Sequence, residues 1–445
     1  MPDHSILAYI SEQLSQIPHP VKRWVVAFSG GIDSAVLLHA VATINQRLPQ
    51  PLPVIALHVH HQLSTQADQW QQHCALFAKA LGVDFIAQSV TVNSQGKGLE
   101  AAARDARYGV FTQYMQTGDV LLLGHHQQDQ SETFLLRLLR GAGVRGLQAM
   151  PISRVLGTGH LWRPLLGATK TEIISYAQEH QLLWVDDESN AQEDYDRNFL
   201  RHRVVPLLRS RWPAVDEQLT KTAARMVEAH ALLNEMAETD IANLDQQPAR
   251  WGCSVNFAEM QKLPQARRNN CIRYWCESIA CAIPSADIFA EMNTQFFSRT
   301  ALLSSACISW GGHEMRQFAG RLYILPILAD FDAQTLVVEW DAKDTIQLGT
   351  AGSLKCVKEG GLSLPQKNYS IRWRQGGERC TPSDRQHSQT LKKLLQEYGL
   401  ETWLRDRVPL IYCGDELVAV GDLWVNKAYQ PKVTDSVVSV RWLGA

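Results

Sequence analysis

The first half of the chain alternates short apolar runs with amphipathic stretches. Each apolar run has the length of a buried strand, and each following stretch repeats its apolar residues at helical spacing. This alternation predicts a parallel β-sheet whose strands are joined by crossover helices. The predicted strands are Trp24–Phe28, Val54–Val59, Phe85–Val90 and Val120–Leu123, and the predicted helices are Ala35–Ile44, Gln66–Leu81, Leu99–Met115 and Ser131–Leu139.

The second half of the chain has a different pattern. Residues 213–238 form a long amphipathic stretch without strand signals, which predicts a connecting helix, and residues 267–280 are again helical in pattern. Beyond residue 330 short β-like runs surround one amphipathic helix near residues 390–398. The predicted fold class is α/β, with a Rossmann-like parallel-sheet domain over residues 1–216, a mostly helical linker and middle domain over 217–330, and a small α+β domain over 331–445.

Composition and charge fit a folded chain of several domains. The chain has 445 residues, of which 45% are hydrophobic and 20% charged, as in ordinary globular proteins. The 43 Lys and Arg residues nearly balance the 45 Asp and Glu residues. The molecule as a whole is therefore not strongly basic, and any surface for nucleic acid must be local.

Cysteine usage and the first residues predict the compartment. The nine cysteines include no C-x-x-C pair, and only Cys74 lies in the first 250 residues, which argues against a disulfide framework or a cysteine-rich zinc site. Reduced thiols are typical of the cytoplasm. The first residues lack the features of a signal peptide, and no apolar run approaches the roughly 18 residues of a membrane span. We expect a cytoplasmic protein that does not enter a membrane.

The strongest local motif is Ser29-Gly30-Gly31-Ile32-Asp33-Ser34, which lies between the first predicted strand and the first predicted helix. Glycines let the backbone turn tightly and approach a phosphate, and the N-terminus of a helix presents N–H groups to an anion. Ser29 and Ser34 add hydroxyl donors, and Asp33 can cap the helix or hold a metal ion bound to phosphates. The motif therefore predicts a phosphate-binding loop.

The loop is neither a Walker loop nor a dinucleotide fingerprint, because it lacks the lysine of the first and the glycine spacing of the second. Its full sequence resembles the PP-loop family of ATP pyrophosphatases. This resemblance implies a PP-loop fold for the first domain, binding of the β- and γ-phosphates of ATP, transfer of AMP to an oxygen and release of pyrophosphate.

Histidines follow two other predicted strands. His58, His60 and His61 end the second strand, and His125 and His126 follow the fourth, shortly before Asp129. By themselves these residues also suit a divalent-metal hydrolase, because imidazole and carboxylate are good metal ligands. The preceding glycine loop favours a site for adenine, phosphates and Mg²⁺, an ion that needs few protein ligands.

Further segments, taken in order along the chain, resemble the tRNA(Ile)-lysidine synthetase branch of this family. The resemblance covers essentially the whole chain and is strongest over residues 25–210. Besides the loop, it is carried by Glu100 with Arg104, His125 to Thr133, Arg163 to Leu166, Glu188 to Asn190, Arg197 with Asn198 and Arg201, Leu391 to Leu394, and Trp403 to Asp406.

The resemblance implies a reaction and its participants. Members of this branch adenylate C2 of the wobble cytidine in the CAU anticodon of tRNA(Ile), and L-lysine then attacks, giving lysidine, AMP and pyrophosphate. The implied cofactors are ATP and Mg²⁺. The residue roles carried over are catalytic for Asp33, Asp129 and Arg104; nucleotide-binding for Ser29, Gly30, Gly31, Ile32, Asp33, Ser34, His58 and His125; metal-binding for Asp33 and Asp129; and substrate-binding for Glu100, Arg163, Arg197, Asn198, Arg201, Lys392 and Lys393.

Two positions depart from the family pattern. The family usually has Asp-Asp-Gln where this chain has Gln128-Asp129-Gln130, so only Asp129 is carried over. The family also usually has glycine after the histidines of the second strand, where this chain has Gln62.

Two segments are locally basic. Residues 133–171 contain six cations and no carboxylate, and residues 197–211 contain five arginines and no carboxylate. Such segments supply RNA affinity through phosphate contacts, whereas selection of bases needs stacking and edge contacts, for which Tyr195, Phe199 and His202 are available. In the last domain, Arg372 to Arg374 and the Lys392-Lys393 pair are candidates for the acceptor stem.

Two other functions remain open for such a chain. A synthetase of the 2-thiocytidine type needs cysteines for sulfur or an iron–sulfur cluster, and the first half offers only Cys74. A nucleotide-binding sensor would hold ATP without turning it over. The basic segments and the two additional domains favour a large polyanionic substrate instead.

Overall fold

The computed structural model describes residues 5–62, 66–92, 98–185, 196–298, 306–331, 337–358, 360–365, 367–432 and 436–444. The chain folds into two compact units, Met1–Ala231 and Leu232–Ala445. The three-domain division at residues 216 and 330 stays a prediction.

The first unit is built on a six-stranded sheet with the order β3-β2-β1-β4-β6-β5. Strands β1 to β4 and β6 run parallel, and β5 is antiparallel at the edge. Its elements are α1 (Ile6–Ser15), β1 (Arg23–Ala27), α2 (Ile32–Gln46), β2 (Val54–His60), α3 (Ala67–Ala80), β3 (Asp84–Ser89), α4 (Leu99–Tyr114), β4 (Asp119–Leu122), α5 (Gln127–Leu139), α6 (Val144–Leu147), β5 (Ser153–Leu156), β6 (Gly159–Trp162), α7 (Lys170–Glu179), α8 (Asp196–Phe199), a π-helical turn (Leu200–Val204), α9 (Val205–Arg211) and α10 (Val215–Ala242), which continues into the second unit.

The central strands β1, β2 and β4 are buried on both faces, which explains their continuous apolar sequences. Val25 of β1 packs in one core with Leu57 and Leu121, whereas Val26 packs in a second core with the apolar residues of α2. Strands covered on both faces lack the alternation of half-buried strands. The predicted α/β fold is confirmed. Since β1 lies between β2 and β4, the strand order reverses beside β1, and ligands of such sheets bind at the carboxyl ends of the strands there.

The second unit begins with the end of α10 and a five-stranded antiparallel sheet of order β7-β8-β11-β10-β9. Its elements are β7 (Gln247–Pro248), β8 (Cys253–Asn256), α11 (Phe257–Lys262), α12 (Gln265–Ser278), α13 (Ala286–Gln295), β9 (Cys307–Trp310), β10 (His313–Phe318) and β11 (Arg321–Pro326). The predicted helical character of this region is confirmed, but the sheet was not predicted. Four of the six residues of β10 are polar, which hides its strand character. Glu314 among them is buried and accepts a hydrogen bond from Arg316 Nε at 2.7 Å.

The end of the chain forms two further antiparallel sheets, of orders β12-β16-β19-β20-β21 and β13-β14-β22-β15, and a short pair β17-β18. The elements are β12 (Val338–Trp340), β13 (Ile346–Gln347), β14 (Ser353–Val357), β15 (Leu362–Pro365), β16 (Tyr369–Arg372), β17 (Arg379–Cys380), β18 (Gln389–Thr390), α14 (Leu391–Glu397), β19 (Leu410–Cys413), β20 (Glu416–Val420), β21 (Trp424–Val425) and β22 (Val437–Leu443). These elements confirm the predicted small α+β fold. In the part of the chain that the structure describes, no helix combines the length and apolar character needed to span a bilayer.

Gln62, one of the two departures from the family pattern, has a backbone φ of +57°. This left-handed conformation is unfavourable for a residue with a Cβ atom and favourable for glycine. The structure therefore gives a physical reason for the glycine that the family usually has here.

We predict that Gln62→Gly raises the free energy of unfolding by about 0.5–1 kcal/mol, because relief of the backbone strain exceeds the entropy that glycine adds to the unfolded chain. Denaturant unfolding measures the change. Gln113→Gly, at an exposed position in the last turn of α4, is the matched control and should lower stability, because glycine is the poorer helix former. A loss of stability at both positions would contradict the strain argument.

Candidate active site

The loop that follows β1 has the geometry of an anion site. Gly30 has a φ of +90°, and a Cβ atom there would lie 2.8 Å from the Sγ of buried Cys74. Gly31 is the N-cap of α2 and has no side chain to cap the helix, so the N-cap residue does not occupy the first backbone N–H groups of α2. Ser34 donates to the Gly31 carbonyl at 2.9 Å, and its Oγ lies 3.2 Å from that of Ser29. Loop and helix can together receive phosphate oxygens.

The loop meets the carboxyl end of β4 at very short range. A Cβ atom on Gly124 would lie 3.1 Å from the backbone of Asp33, so any larger residue there would push the Asp33 backbone away by a few tenths of an ångström. His126 accepts a hydrogen bond from the Gln128 N–H at its Nδ1, which leaves the proton on Nε2. That Nε2 faces two carboxylates, at 3.7 Å from Asp33 Oδ1 and 3.6 Å from Asp129 Oδ2. His126 therefore joins the phosphate loop to α5.

Lys170, at the start of α7, donates to Asp33 Oδ1 at 2.6 Å. The Asp33 side chain remains 32% exposed, so this carboxylate is accessible at the mouth of the loop. Lys170 was counted in a basic segment but not predicted as a site residue. No local motif marks it, because its partner lies 137 positions earlier in the chain.

Two buried carboxylates of α5 bind two arginines from the segment that follows residue 195. Glu132 is 0% exposed and accepts from Arg197 Nε at 2.9 Å and from Arg201 Nε at 2.7 Å. Asp129 Oδ1 accepts from Nη2 of the same arginines at 2.7 and 3.1 Å, and its Oδ2 accepts from the His126 backbone N–H at 3.0 Å. Burial raises the pKa of Asp129, but the interactions of its carboxylate with His126 and with the charge of Arg197 outweigh burial and lower the pKa well below its ordinary value.

A second group of cations lies next to this network. Arg163 is buried, donates from Nη1 to the Pro151 carbonyl at 2.6 Å, and donates from Nε to His125 Nδ1 at 3.3 Å. His125 must therefore be unprotonated at Nδ1. Its pKa is lowered to about 3, first by burial, while the charge of Asp129 opposes and that of Arg163 adds to the shift. The Arg104 guanidinium lies 5.1 Å from the centre of the Tyr108 ring and also acts on His125.

His58 and His60 of β2 have hydrogen-bond partners within the protein. His58 Nδ1 lies 2.8 Å from the Phe28 carbonyl, to which it must donate, and burial lowers its pKa. His60 Nε2 lies 3.0 Å from Asp68, and burial lowers the pKa of His61 to about 4. Among the residues that the structure describes, no group of three histidine, cysteine or carboxylate side chains is arranged to hold a metal ion. The structure therefore gives no support to the metal-hydrolase alternative.

The structure brings most of the predicted site residues of the first unit together. Asp33 and Asp129 meet through His126, Asp129 meets Arg197 and Arg201, and Arg163 meets His125. Asn198 lies on α8 between the two arginines. Glu100 lies on α4, but its side chain, the segment Glu188 to Asn190 and Tyr195 fall outside the described residues. Lys392 and Lys393 lie on α14, in the second unit.

Sequence reasoning missed Gly124, Lys170 and Glu132 as members of this site. Glu132 lies one helical turn after Asp129, a spacing that places both carboxylates on one face of α5. That spacing was visible in the sequence, whereas the contacts of Gly124 and Lys170 depend on the tertiary fold.

The fold and the loop define a class of ATP-binding proteins. Residues 5–208 match the family model described as the PP-loop domain, residues 256–323 match the TilS substrate binding domain, and residues 369–442 match the TilS substrate C-terminal domain.

Curated relatives extend the match over most of the chain. The chain is 37% identical over 413 residues to the tRNA(Ile)-lysidine synthase of Coxiella burnetii. The aligned region covers 92% of this chain and 90% of that protein. It is 41% identical over 406 residues to the corresponding protein of Pseudomonas syringae pv. tomato, covering 90% and 88%, and 37% identical over 439 residues to that of Serratia proteamaculans, covering 97% of each. The chain belongs to the tRNA(Ile)-lysidine synthase family.

We predict that Gly30→Ala costs at least about 1–2 kcal/mol of folding stability or displaces the loop, because the added methyl group is strained at positive φ and meets Cys74. Affinity for an ATP analogue should fall with it, as measured by calorimetry. Gly31→Ala is the matched control, since its φ is −72° and its Cβ would have only ordinary contacts, the nearest at 3.6 Å. Equal effects of the two changes would contradict this account of the loop.

We predict that His125 makes folding stability depend on pH. The unfolded chain binds its proton with a pKa near 6.5 and the folded chain with a pKa of about 3, so between these values the unfolded state holds more protons and stability falls as the pH falls. His125→Gln removes this contribution and keeps a hydrogen-bond acceptor for Arg163. Unfolding free energies should therefore show the wild type losing stability relative to the variant from about pH 6.5 downward, with a constant difference at higher pH. Parallel curves would contradict the prediction.

Proposed function

We propose that this protein ligates L-lysine to C2 of the wobble cytidine in the CAU anticodon of tRNA(Ile), using ATP and releasing AMP and pyrophosphate. The observation that carries the proposal is the glycine loop at the carboxyl end of β1, within a chain that matches its family over more than nine-tenths of its length. The relatives carry the name of this activity, and the loop supplies the anion site that it requires.

The chemistry explains why a pyrophosphatase loop is needed. The C2 oxygen of cytidine is a poor leaving group. Its attack on the α-phosphorus of ATP expels pyrophosphate and leaves an adenylated cytidine, from which AMP departs when the amine of lysine attacks C2 and loses a proton. Holding ATP beside the base converts a bimolecular encounter into a positioned one, and cationic groups offset the charge on the departing phosphates.

The donors at the loop fit Mg²⁺ at one carboxylate. A bound Mg²⁺ would offset charge on the pyrophosphate as it leaves. Asp33 suits this ion, because its accessible carboxylate lies beside the loop, and Mg²⁺ takes most of its ligands from phosphates and water. Asp129 stays a predicted ligand, but its Oδ1 already accepts from two arginines and its Oδ2 from a backbone N–H. We infer that Asp129 acts chiefly by positioning Arg197 and Arg201.

The remaining predicted residues have roles in binding. We propose that His125 and Arg163 form the wall of the site beside β4, with Arg104 placed to stabilise the transferred phosphorus or to hold the base. Glu100, Asn198, Arg197 and Arg201 stay predicted substrate residues. Lys392 and Lys393 are exposed on α14 and are proposed to contact the acceptor stem of the tRNA.

The state of the cysteines is evidence for two points, the cytoplasmic location of the protein and the competing thiolation reaction. All nine cysteines are free, which supports the cytoplasmic location. Cys74 is buried beneath Gly30, and burial raises its pKa to about 12, so this thiol is not a reactive sulfur carrier. The first unit therefore gives no support to a thiolation reaction.

The direct test is nucleoside analysis of tRNA(Ile) bearing CAU after incubation with the protein, ATP, Mg²⁺ and L-lysine. We expect lysidine together with AMP and pyrophosphate, and no lysidine without L-lysine. Release of ADP, or ATP turnover that is unchanged without RNA, would overturn the proposal. Binding of ATP without any turnover would favour the nucleotide sensor.

We predict that Asp33→Asn lowers the rate of lysidine formation by about 10²–10³-fold, the usual cost of removing one electrostatic contact to a transition state, while tRNA binding is retained. Asparagine keeps an acceptor for Lys170 and removes only the charge. The matched control is Asp68→Asn, an exposed carboxylate on α3 of the same unit, which should keep near-normal turnover. Near-normal turnover of Asp33→Asn would show that the phosphate site is misplaced.

A further inference from the structure

Arg154 differs from the other cations of its segment. Of the six cations between residues 133 and 171, four have hydrogen-bonding or ionic partners within the protein, and a fifth, Arg145, also interacts with it. Arg137 donates to the Gly146 and Ala149 carbonyls, Arg140 pairs with Asp196, Arg163 donates to Pro151 and His125, and Lys170 pairs with Asp33. Across the described ranges, Arg154 has neither a hydrogen bond nor an ion pair, and its side chain is exposed.

What Arg154 does contact is an aromatic ring that a second arginine shares. The Arg154 guanidinium lies 4.9 Å from the centre of the Tyr108 ring, and the Arg104 guanidinium lies 5.1 Å from it. Tyr108 and Arg104 are one helical turn apart on α4, whereas Arg154 comes from β5. A tyrosine ring attracts cations through its π-electrons without neutralising them. The ring therefore gathers two positive charges and leaves their N–H groups available to a ligand.

The neighbourhood is positive as well. Buried Arg163 is the next cation, and its pKa is lowered first by burial, is partly restored by Tyr108, and is lowered further by the charges of Arg154 and Arg104. Its polar partners are a carbonyl and a neutral imidazole, which leave its charge uncompensated. Three guanidiniums thus act on one another around Tyr108, and an anion placed there would relieve their repulsion.

The position of Arg154 in the sheet indicates which anion it can bind. Arg154 lies opposite Leu161, and Ser153 lies opposite Trp162, so the start of antiparallel β5 adjoins the carboxyl end of β6. Arg154 therefore lies near the carboxyl ends of the parallel strands, at the same end of the sheet as the phosphate loop. In the order β1-β4-β6-β5 it is three strands away from that loop, a distance of about 14 Å at the usual strand spacing. At this distance Arg154 is not required to bind a triphosphate held by Ser29 to Ser34. An RNA strand that crosses the carboxyl ends of the strands would reach Arg154.

We propose that Arg154, held beside Arg104 on the ring of Tyr108, binds a backbone phosphate of the tRNA substrate near the carboxyl ends of the strands. The inference rests on the proposed function, which supplies the tRNA. Guanidinium groups suit this role, because their paired N–H donors match two phosphate oxygens. Tyr108 is a positioning residue, since it acts by holding the two arginines.

The test compares tRNA binding by the full chain across a range of salt concentrations. Arg154→Gln should weaken binding of tRNA(Ile) and reduce the slope of log Kd against log salt by about 0.7–0.9, the contribution of one phosphate contact. Affinity for an ATP analogue should be unchanged. The matched control is Arg47→Gln, which also removes one positive charge. Arg47 lies at the end of α2, near the amino ends of the strands, and its replacement should leave the slope unchanged. Arg154→Lys should restore the wild-type slope.

Tyr108 variants separate the ring from the hydroxyl group. Tyr108→Phe should keep the salt slope, whereas Tyr108→Leu should lower it, and adding Arg154→Gln to Tyr108→Leu should produce less than the sum of the two changes. An unchanged slope for Arg154→Gln in a wild-type background that binds tRNA would overturn this inference alone. A lower affinity for the ATP analogue with unchanged tRNA binding would assign the arginines to the nucleotide instead. A wild-type chain that binds no tRNA would overturn the proposed function as well.

Discussion

The organisation of the site depends on the buried pairing of two carboxylates of α5 with two guanidiniums. Glu132 and Asp129 each accept hydrogen bonds from Arg197 and Arg201, with donor–acceptor distances of 2.7 to 3.1 Å. Glu132 has no exposed surface. Charged groups are costly to remove from water unless their hydrogen bonds are satisfied, so either pair without the other would destabilise the fold. The network fixes the position of α8 and the π-helical turn against α5. Through His126 it also fixes α5 against the phosphate loop.

This pairing separates two kinds of arginine. Arg197 and Arg201 are each paired with two buried carboxylates, which fix their positions. Arg163 is held by neutral acceptors, and Arg154 by an aromatic ring, so both keep a positive charge that the protein does not cancel. A chain with a net charge of −2 can thereby present a locally positive edge to a polyanion.

Much of this arrangement could be predicted from the sequence, and the exceptions have physical causes. The strands and helices of the first unit follow from apolar periodicity, because a parallel sheet covered on both faces needs continuous apolar strands. The glycine loop was predictable because its conformation limits which residues fit it. Lys170 was not, since its partner Asp33 is distant in sequence and nothing local marks the contact. The strand β10 was hidden because Glu314 and Arg316 satisfy each other within the sheet and remove the expected alternation.

The neutral histidines complete the electrostatic design of the site. His125 lies among Arg163, Arg197 and Arg104, and its burial and their charges favour the unprotonated ring. An unprotonated Nδ1 accepts from Arg163 and orients it, where a carboxylate would orient it equally well but cancel its charge. His58 likewise donates to the Phe28 carbonyl at the end of β1 and adds no charge at physiological pH, since burial lowers its pKa. Because an imidazole and a carbonyl orient Arg163, its positive charge stays available to the phosphates of the substrates.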